Sequence, residues 1–330
     1  MERLGKIALI CSLMIAIILF SGCTAEDLPI GGELCTKIGL CEKKVIEEKP
    51  EVILIKEIKV LPSAEVKANE TVDVYVTLKN KDPEKEIKGV KAEISNPGDF
   101  ECLNCSFIIT MHPLQEKTLH FKLRAPDFKG TMHVPETLTF AVTFDYDSHT
   151  TKSIWLIGKD TYREYLESGR KVPITLSESK SKGPVRIDLE IDAEQPIPVG
   201  PIDVCIKEGG KKVNLYLQLN NVMDGIVYRF ENLSLVINCP ETEIAKKVIL
   251  NFESWDNDTF TNQGFYQIVL SEEGKKEITF YGKSSPKYSF VLNACGFEDS
   301  DVLQCTISAD AEYTYKISRN FEVVVEGSGK

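Results

Sequence analysis

Val72-Asp-Val-Tyr-Val-Thr-Leu-Lys-Asn80 places an aliphatic residue at every second position. Val72, Val74, Val76 and Leu78 face one way, and Asp73, Tyr75, Thr77 and Lys79 face the other. A period of two belongs to a β-strand with one face on a core and one in water, as in an antiparallel sheet. The same alternation recurs at Val90-Lys-Ala-Glu-Ile94, at Leu119-His-Phe-Lys-Leu123, and from Leu138 through Phe140, Val142 and Phe144 to Tyr146. Turn residues separate these runs: Asn80-Lys-Asp-Pro83, Asn96-Pro-Gly98 and Ala125-Pro-Asp127. Many short strands of this kind predict an all-β sandwich rather than a parallel α/β sheet.

The pattern occurs twice. Val213-Asn-Leu-Tyr-Leu-Gln-Leu-Asn-Asn221 aligns on Val72–Asn80 without gaps, with Val, Tyr, Leu and Asn identical and the alternation in phase. Val90–Ile94 followed by Asn96-Pro97 matches Leu233–Ile237 followed by Cys239-Pro240, and Leu138–Asp147 matches Ile307–Lys316. Three matches in one order predict two related tandem domains. Composition sets their bounds: a first sandwich over 51–158, a helical and polar linker over 159–184, a second sandwich over 185–326 and a short tail over 327–330. In the linker, Tyr162, Tyr165 and Leu166 have helical spacing, and Gly169 is placed to end the helix.

Ahead of the repeats, Met1–Lys6 carries Arg3 and Lys6, and Ile7–Phe20 runs apolar except at Cys11 and Ser12. A basic start, a short apolar stretch and small residues make a secretory signal over 1–22. Residues 23–50 then read as a polar tether. Of the ten cysteines, eight beyond Cys23 remain: Cys35, Cys41, Cys102, Cys105, Cys205, Cys239, Cys295 and Cys305. An even set in an exported chain reads as disulfides. Proximity favours Cys35–Cys41, Cys102–Cys105, Cys205–Cys239 and Cys295–Cys305, with the exchange Cys205–Cys295 and Cys239–Cys305 as the rival. Cys102-Leu-Asn-Cys105 lacks the following helix that would activate a redox pair and a second close pair for zinc, so it reads as a loop disulfide. Sequons at Asn69, Asn104, Asn232 and Asn257 are candidate glycan acceptors, and Asn104 lies inside the Cys102–Cys105 loop.

Phe20-Ser-Gly-Cys23 resembles the lipobox of prokaryotic lipoproteins, although Phe20 stands where Leu is commonest and Leu19 falls one place early. The resemblance implies a lipid on Cys23 and membrane attachment at that end. Lys67-Ala-Asn-Glu-Thr71 leading to Asn80, and Gln195–Gly200 leading through an insert to Asn221, are similar to the opening of CARDB- or NEW3-like immunoglobulin-type domains of archaeal and bacterial surface proteins. That resemblance implies tandem immunoglobulin-like sandwiches used for spacing, adhesion or assembly, and it carries no catalytic residues. The insert Pro201–Lys212, with Cys205, departs from the pattern.

A net charge of −11 opposes a nucleic-acid-binding role, which needs a cationic footprint. No nucleotide-binding glycine loop, nucleophile elbow or zinc-protease helix motif occurs. The four histidines, His112, His120, His133 and His149, fall in the first half, and Asp145, Asp147 and His149 are the best-spaced metal donors. A metal site needs ligands converging from several elements, so these read as a solvated strand edge. Trp155 lies in an apolar run and reads as core, whereas Trp255 in Ser254-Trp-Asp-Asn-Asp-Thr259 is the exposed aromatic candidate for a glycan. The expectation is a non-enzymatic, cofactor-free surface protein with a structural or adhesive role, and alternatively a carbohydrate- or ligand-binding module using Trp255.

Overall fold

The computed structural model describes residues 52–241, 249–254, 259–264, 267–276, 278–297 and 302–329. Cys23, Cys35, Cys41, Trp255 and Asn257, with the signal and the whole of the tether, lie outside them. The alternating runs form strands. The first half holds β1 (Ile53–Leu61), β2 (Glu65–Lys67), β3 (Thr71–Asn80), β4 (Ile87–Asn96), β5 (Glu101–Asn104), β6 (Ser106–Met111), β7 (Glu116–Arg124) and β8 (His133–Gly158). A helix, α1 (Lys159–Glu167), follows, and Gly169 closes it with φ +62° as its neighbour's N–H returns to Tyr165. The second half holds β9 (Glu178–Lys180), β10 (Val185–Asp192), β11 (Ile197–Val199), the short helix α2 (Ile202–Glu208), β12 (Lys211–Asn221) and β13 (Ile226–Asn238). It ends with β14 (Ile249–Ser254), β15 (Phe260–Gly264), β16 (Gln267–Leu270), β17 (Tyr288–Cys295) and β18 (Val302–Glu326).

The strands make an all-β sandwich of open sheets. Two four-stranded sheets, β1-β3-β7-β5 and β10-β12-β17-β14, have the same order in the two halves. Both pack on a third sheet, β15-β16-β13-β18-β8-β4-β6, in which β8 and β18 run antiparallel in unbroken register from His133↔Glu326 to Ile157↔Val302. Each half therefore extends its last strand into the sheet of the other. Short parallel strands border this ladder at equivalent places, β2 on Val324–Glu326 and β11 on Leu156–Gly158. Each follows a cis X-Pro bond, Leu61-Pro62 and Gln195-Pro196.

Burial follows the alternation. Val72, Val74, Val76 and Leu78, and their counterparts Val213, Leu215, Leu217 and Leu219, are almost wholly buried. On β8 the same face carries Leu138, Phe140, Val142 and Phe144, and on β18 Ile307, Ala309 and Ala311, all in one continuous apolar core. Flanking strands fix the internal correspondence. Phe140 lies beside Ile94 of β4, and Ile307 beside Ile237 of β13. Phe140 thus corresponds to Ile307, two residues away from the gapless alignment. A slip of two keeps every side chain on its face.

The described disulfides are Cys102–Cys105, Cys205–Cys295 and Cys239–Cys305. The neighbour pairing expected for the last four cysteines is replaced by its rival, for a reason set by strand pairing. Cys239 follows β13 and meets Cys305 of β18 across their shared ladder, with 4.3 Å between Cα atoms. Cys295 ends β17, beside the start of β12, where α2 delivers Cys205. The insert after Gly200 is therefore a helix stapled to a sheet end. These bonds place the chain in oxidising, extracytoplasmic surroundings. Among the described residues no helix is long and apolar enough to cross a membrane.

Candidate functional site

The β8/β18 ladder gathers polar and aromatic side chains from both halves at its centre. Tyr146 pairs with Tyr313 and Phe144 with Tyr315, the latter rings 5.9 Å apart between centroids. Burial pushes the Tyr315 phenol up to about 12 and raises those of Tyr146 and Tyr313 as well. All three work as neutral hydrogen-bonding groups. Tyr315 donates to Asn221 Oδ1 at 2.8 Å, Tyr313 Oη accepts from the Val185 N–H at 3.1 Å, and Tyr146 donates to Asp82 Oδ2 at 2.5 Å. Gly183 passes so close to this cluster that a Cβ there would stand 2.4 Å from Ser148 Oγ.

The terminal asparagines of the repeat are clamps. Asn80 Nδ2 donates to the carbonyls of Lys85 at 2.9 Å and His112 at 3.0 Å, and Asn221 Nδ2 to that of Gly225 at 2.7 Å. Each holds the turn after its strand. In the first turn, burial works to raise Asp82. The Tyr146 hydroxyl and the backbone N–H groups of Glu84 and Lys85 outweigh it and keep the carboxyl below its ordinary value. Burial lowers Lys85, whose ammonium lies 4.2 Å from the Tyr146 ring centre and pairs with Asp147.

Two clefts open nearby. One of about 360 Å³ lies between β1 at Ile53–Ile55, the turn Met223–Gly225 and β18 at Ile317–Arg319. Arg319 reaches from β18 to the Ile55 carbonyl at 3.2 Å. The other, of about 500 Å³, is lined by Val227–Glu231, Glu272, Lys275 and Ile278, with the Tyr228 ring 70% exposed.

The histidine and carboxylate candidates are dispersed among separate partners. Asp145 accepts from Thr314 Oγ1 at 2.7 Å, Asp147 pairs with Lys85, and His149 Nδ1 lies 2.5 Å from Asp310. His112 faces Glu86 at 2.6 Å, and His120 stacks on Tyr75 and meets Asp73 at 2.7 Å. Among the described residues no group of three or more metal-type ligands forms. Trp155, read as core from its apolar run, is instead half-buried between the buried Ile154 and Leu156, and its indole donates to the Thr175 carbonyl of the linker at 3.0 Å, because alternation turns it to the face opposite theirs. Asn69, in a turn with φ +65°, and Asn104 on edge strand β5 are exposed, whereas Asn232 is half-buried within β13 opposite Glu312. The central tyrosines and Asn80 and Asn221 were not singled out from the sequence for chemistry. The available signal was the identity of both asparagines in the repeat.

No family model matches the chain, and no curated protein matches it. Among solved structures, one described as the triple jelly roll fold and turret assembly of an archaeal virus shares 8% identity, covering 76% of this chain and 84% of that one, with a TM-score of 0.15. A structure of Sulfolobus turreted icosahedral virus shares 9%, with the same coverages and a TM-score of 0.16. Scores this low carry no statement about a common topology.

Proposed function

We propose that this is a non-enzymatic, extracytoplasmic structural or adhesive protein, held at the membrane by a lipid on Cys23. In this reading its repeats are immunoglobulin-type sandwiches. The sheet orders β1-β3-β7-β5 and β10-β12-β17-β14, each facing a sheet edged by a parallel strand, support that assignment. The observation that carries the structural role is the β8/β18 ladder, through which the two halves share strands and core. Domains joined only by a linker move relative to each other by default. Here hinging would break main-chain hydrogen bonds and expose apolar surface. Such a unit suits holding a fixed spacing at a surface.

The test is fractionation of cells producing the full chain. Recovery in membranes, digestion by protease added to intact cells and release by Cys23→Ser support the reading. Recovery from the cytosol with residues 1–22 attached and cysteines reduced overturns it.

A second reading, glycan binding, rests on the Tyr228 cleft. An exposed ring flanked by the Arg229–Glu231 and Lys275–Glu272 pairs offers stacking beside hydrogen-bonding groups. Glycan-array binding that disappears in Tyr228→Ala, or in Trp255→Ala, would favour it.

A further inference from the structure

The outer side of β18 is bordered by β13 as far as Lys316 and by β2 from Val324. Among the described residues, no strand pairs with Ile317–Val323 on that side. The corresponding side of β8 is filled. Phe140 corresponds to Ile307, so Thr150–Lys152 corresponds to Ile317–Arg319, and Thr150–Lys152 pairs with β9. The long basic residues also correspond. Lys152 reaches the Leu189 carbonyl of β10 at 3.1 Å, as Arg319 reaches the Ile55 carbonyl of β1. Burial marks the difference: Thr150 is fully buried, whereas Ile317 is half-buried and Arg319 exposed.

We propose that Ile317–Val323 is a docking edge for an extended acidic peptide strand of a partner polypeptide, added to β18 between β13 and β2. Seven residues span about 23 Å at strand rise, enough for a short β-augmentation. The charge preference follows from the filled edge. There, Glu178 of β9 lies directly opposite Lys152, with 3.7 Å between carboxylate and ammonium. Arg319 awaits a carboxylate in the same place, and its guanidinium can take one through two parallel bonds. A basic residue on an open edge is also a common guard against aggregation. Lys152, however, does not prevent β9 from pairing. The net charge of −11 repels an anionic peptide at long range, but at physiological salt that field fades within about 8 Å. The edge is independent of how the chain is anchored and of the Tyr228 cleft.

The test uses the full chain with the synthetic octapeptide Thr-Glu repeated four times, and Thr-Lys repeated four times as its charge-reversed control. Amide exchange is followed at Ile317–Val323. The acidic peptide is expected to slow exchange of the outward-facing amides at least tenfold, and the basic peptide to leave it unchanged. In Arg319→Glu the preference should reverse, so that the basic peptide protects. Because this variant also gives up the bond to the Ile55 carbonyl, it is read only where exchange across the rest of β8 and β18 matches that of the unaltered chain, and Arg319→Lys, which keeps the charge, should retain the acidic preference. Absence of protection at millimolar peptide overturns the proposal. Equal protection by both peptides overturns the acidic specificity and with it the assignment. Protection already complete in the chain alone shows an edge closed without a partner, and also overturns it.

Discussion

The two halves share a strand order but not a means of holding it. Aromatic edge contacts close the core of both, Phe260 against Phe290 and Tyr288 at 5.1 and 5.3 Å between centroids in the second half, and Phe121 against Phe107 and Phe140 at 5.0 and 5.5 Å in the first. Its disulfide, Cys102–Cys105, spans only three positions on an edge strand. In the second half two disulfides span 90 and 66 positions, one tying α2 to the end of β17 and the other tying β13 to β18. The β8 edge beyond β4 is also covered by β9, while the matching β18 edge beyond β13 has no paired strand among the described residues. One pattern of alternation thus tolerates different fastenings, because the pattern dictates which faces are buried and not what secures the strand ends.

Removing the long-range staples should expose this difference most. On chain entropy, the Cys205–Cys295 and Cys239–Cys305 loops are each worth about 4.5 kcal/mol, and the Cys102–Cys105 loop about 2 kcal/mol at most. Cys239→Ser with Cys305→Ser is expected to lower the denaturant midpoint far more than Cys102→Ser with Cys105→Ser. Equal shifts would mean that both halves depend alike on their sulfur bridges. Either double variant should still unfold in one transition, since β8 and β18 belong to both halves. Two separated transitions would show that the shared ladder does not couple them.

The tyrosine clamps give the next effect. Tyr315→Phe removes one of two donors to buried Asn221 Oδ1, which keeps the Met223 N–H at 3.2 Å, a loss of about 1 kcal/mol in urea unfolding. Tyr146→Phe should cost less, because Asp82 is only half-buried and keeps two backbone donors. A larger loss from Tyr146→Phe would place the weight of the junction in the first half.

Most strands were legible because a half-buried strand has no other way to write itself than alternation. The extension of β8 was not. After Tyr146 the buried face continues through Ser148 and Thr150, both polar, so the apolar rhythm breaks off in mid-strand and resumes only at Ile154 and Leu156. Those hydroxyls are buried because they have partners: Ser148 meets Tyr313, and Thr150 donates to the Ser179 carbonyl. Both partners come from far along the chain, where no local pattern can announce them. The disulfide pairing was hidden for the same reason, since proximity in sequence is a poor guide once Cys295 and Cys305 belong to different sheets. Asn80 and Asn221 looked like strand ends; that each clamps a turn depends on carbonyls brought to it by folding.

A replaced side chain on the filled edge should matter little. Glu178→Gln breaks a part-exposed pair with Lys152 and Lys180, and is expected to change stability by less than about 1 kcal/mol in the same urea assay. A change of several kcal/mol would make β9 a main support of β8 and weaken its value as the filled counterpart of the β18 edge.

Acid provides the finest comparison. Asp82 is held below its ordinary value in the folded chain, because its hydrogen bonds prevail over burial. A depressed carboxyl stabilises the fold above its unfolded pKa, about 3.9 for aspartate, and that contribution fades as pH falls through the lower folded value. The clamp in the second half uses the amide of Asn221 in the same office, which does not titrate. As the pH falls below about 4 the turn after β3 should therefore loosen before the turn after β12, seen as faster amide exchange at Glu84 and Lys85 than at Met223. The nearby charges, Lys85 and Asp147 with Glu312 beyond, act on the same turn, so the decisive variant is Asp82→Asn. It should flatten the acid response of the first turn and leave the second untouched. An unchanged response in Asp82→Asn would assign the acid sensitivity to the Lys85–Asp147 pair instead.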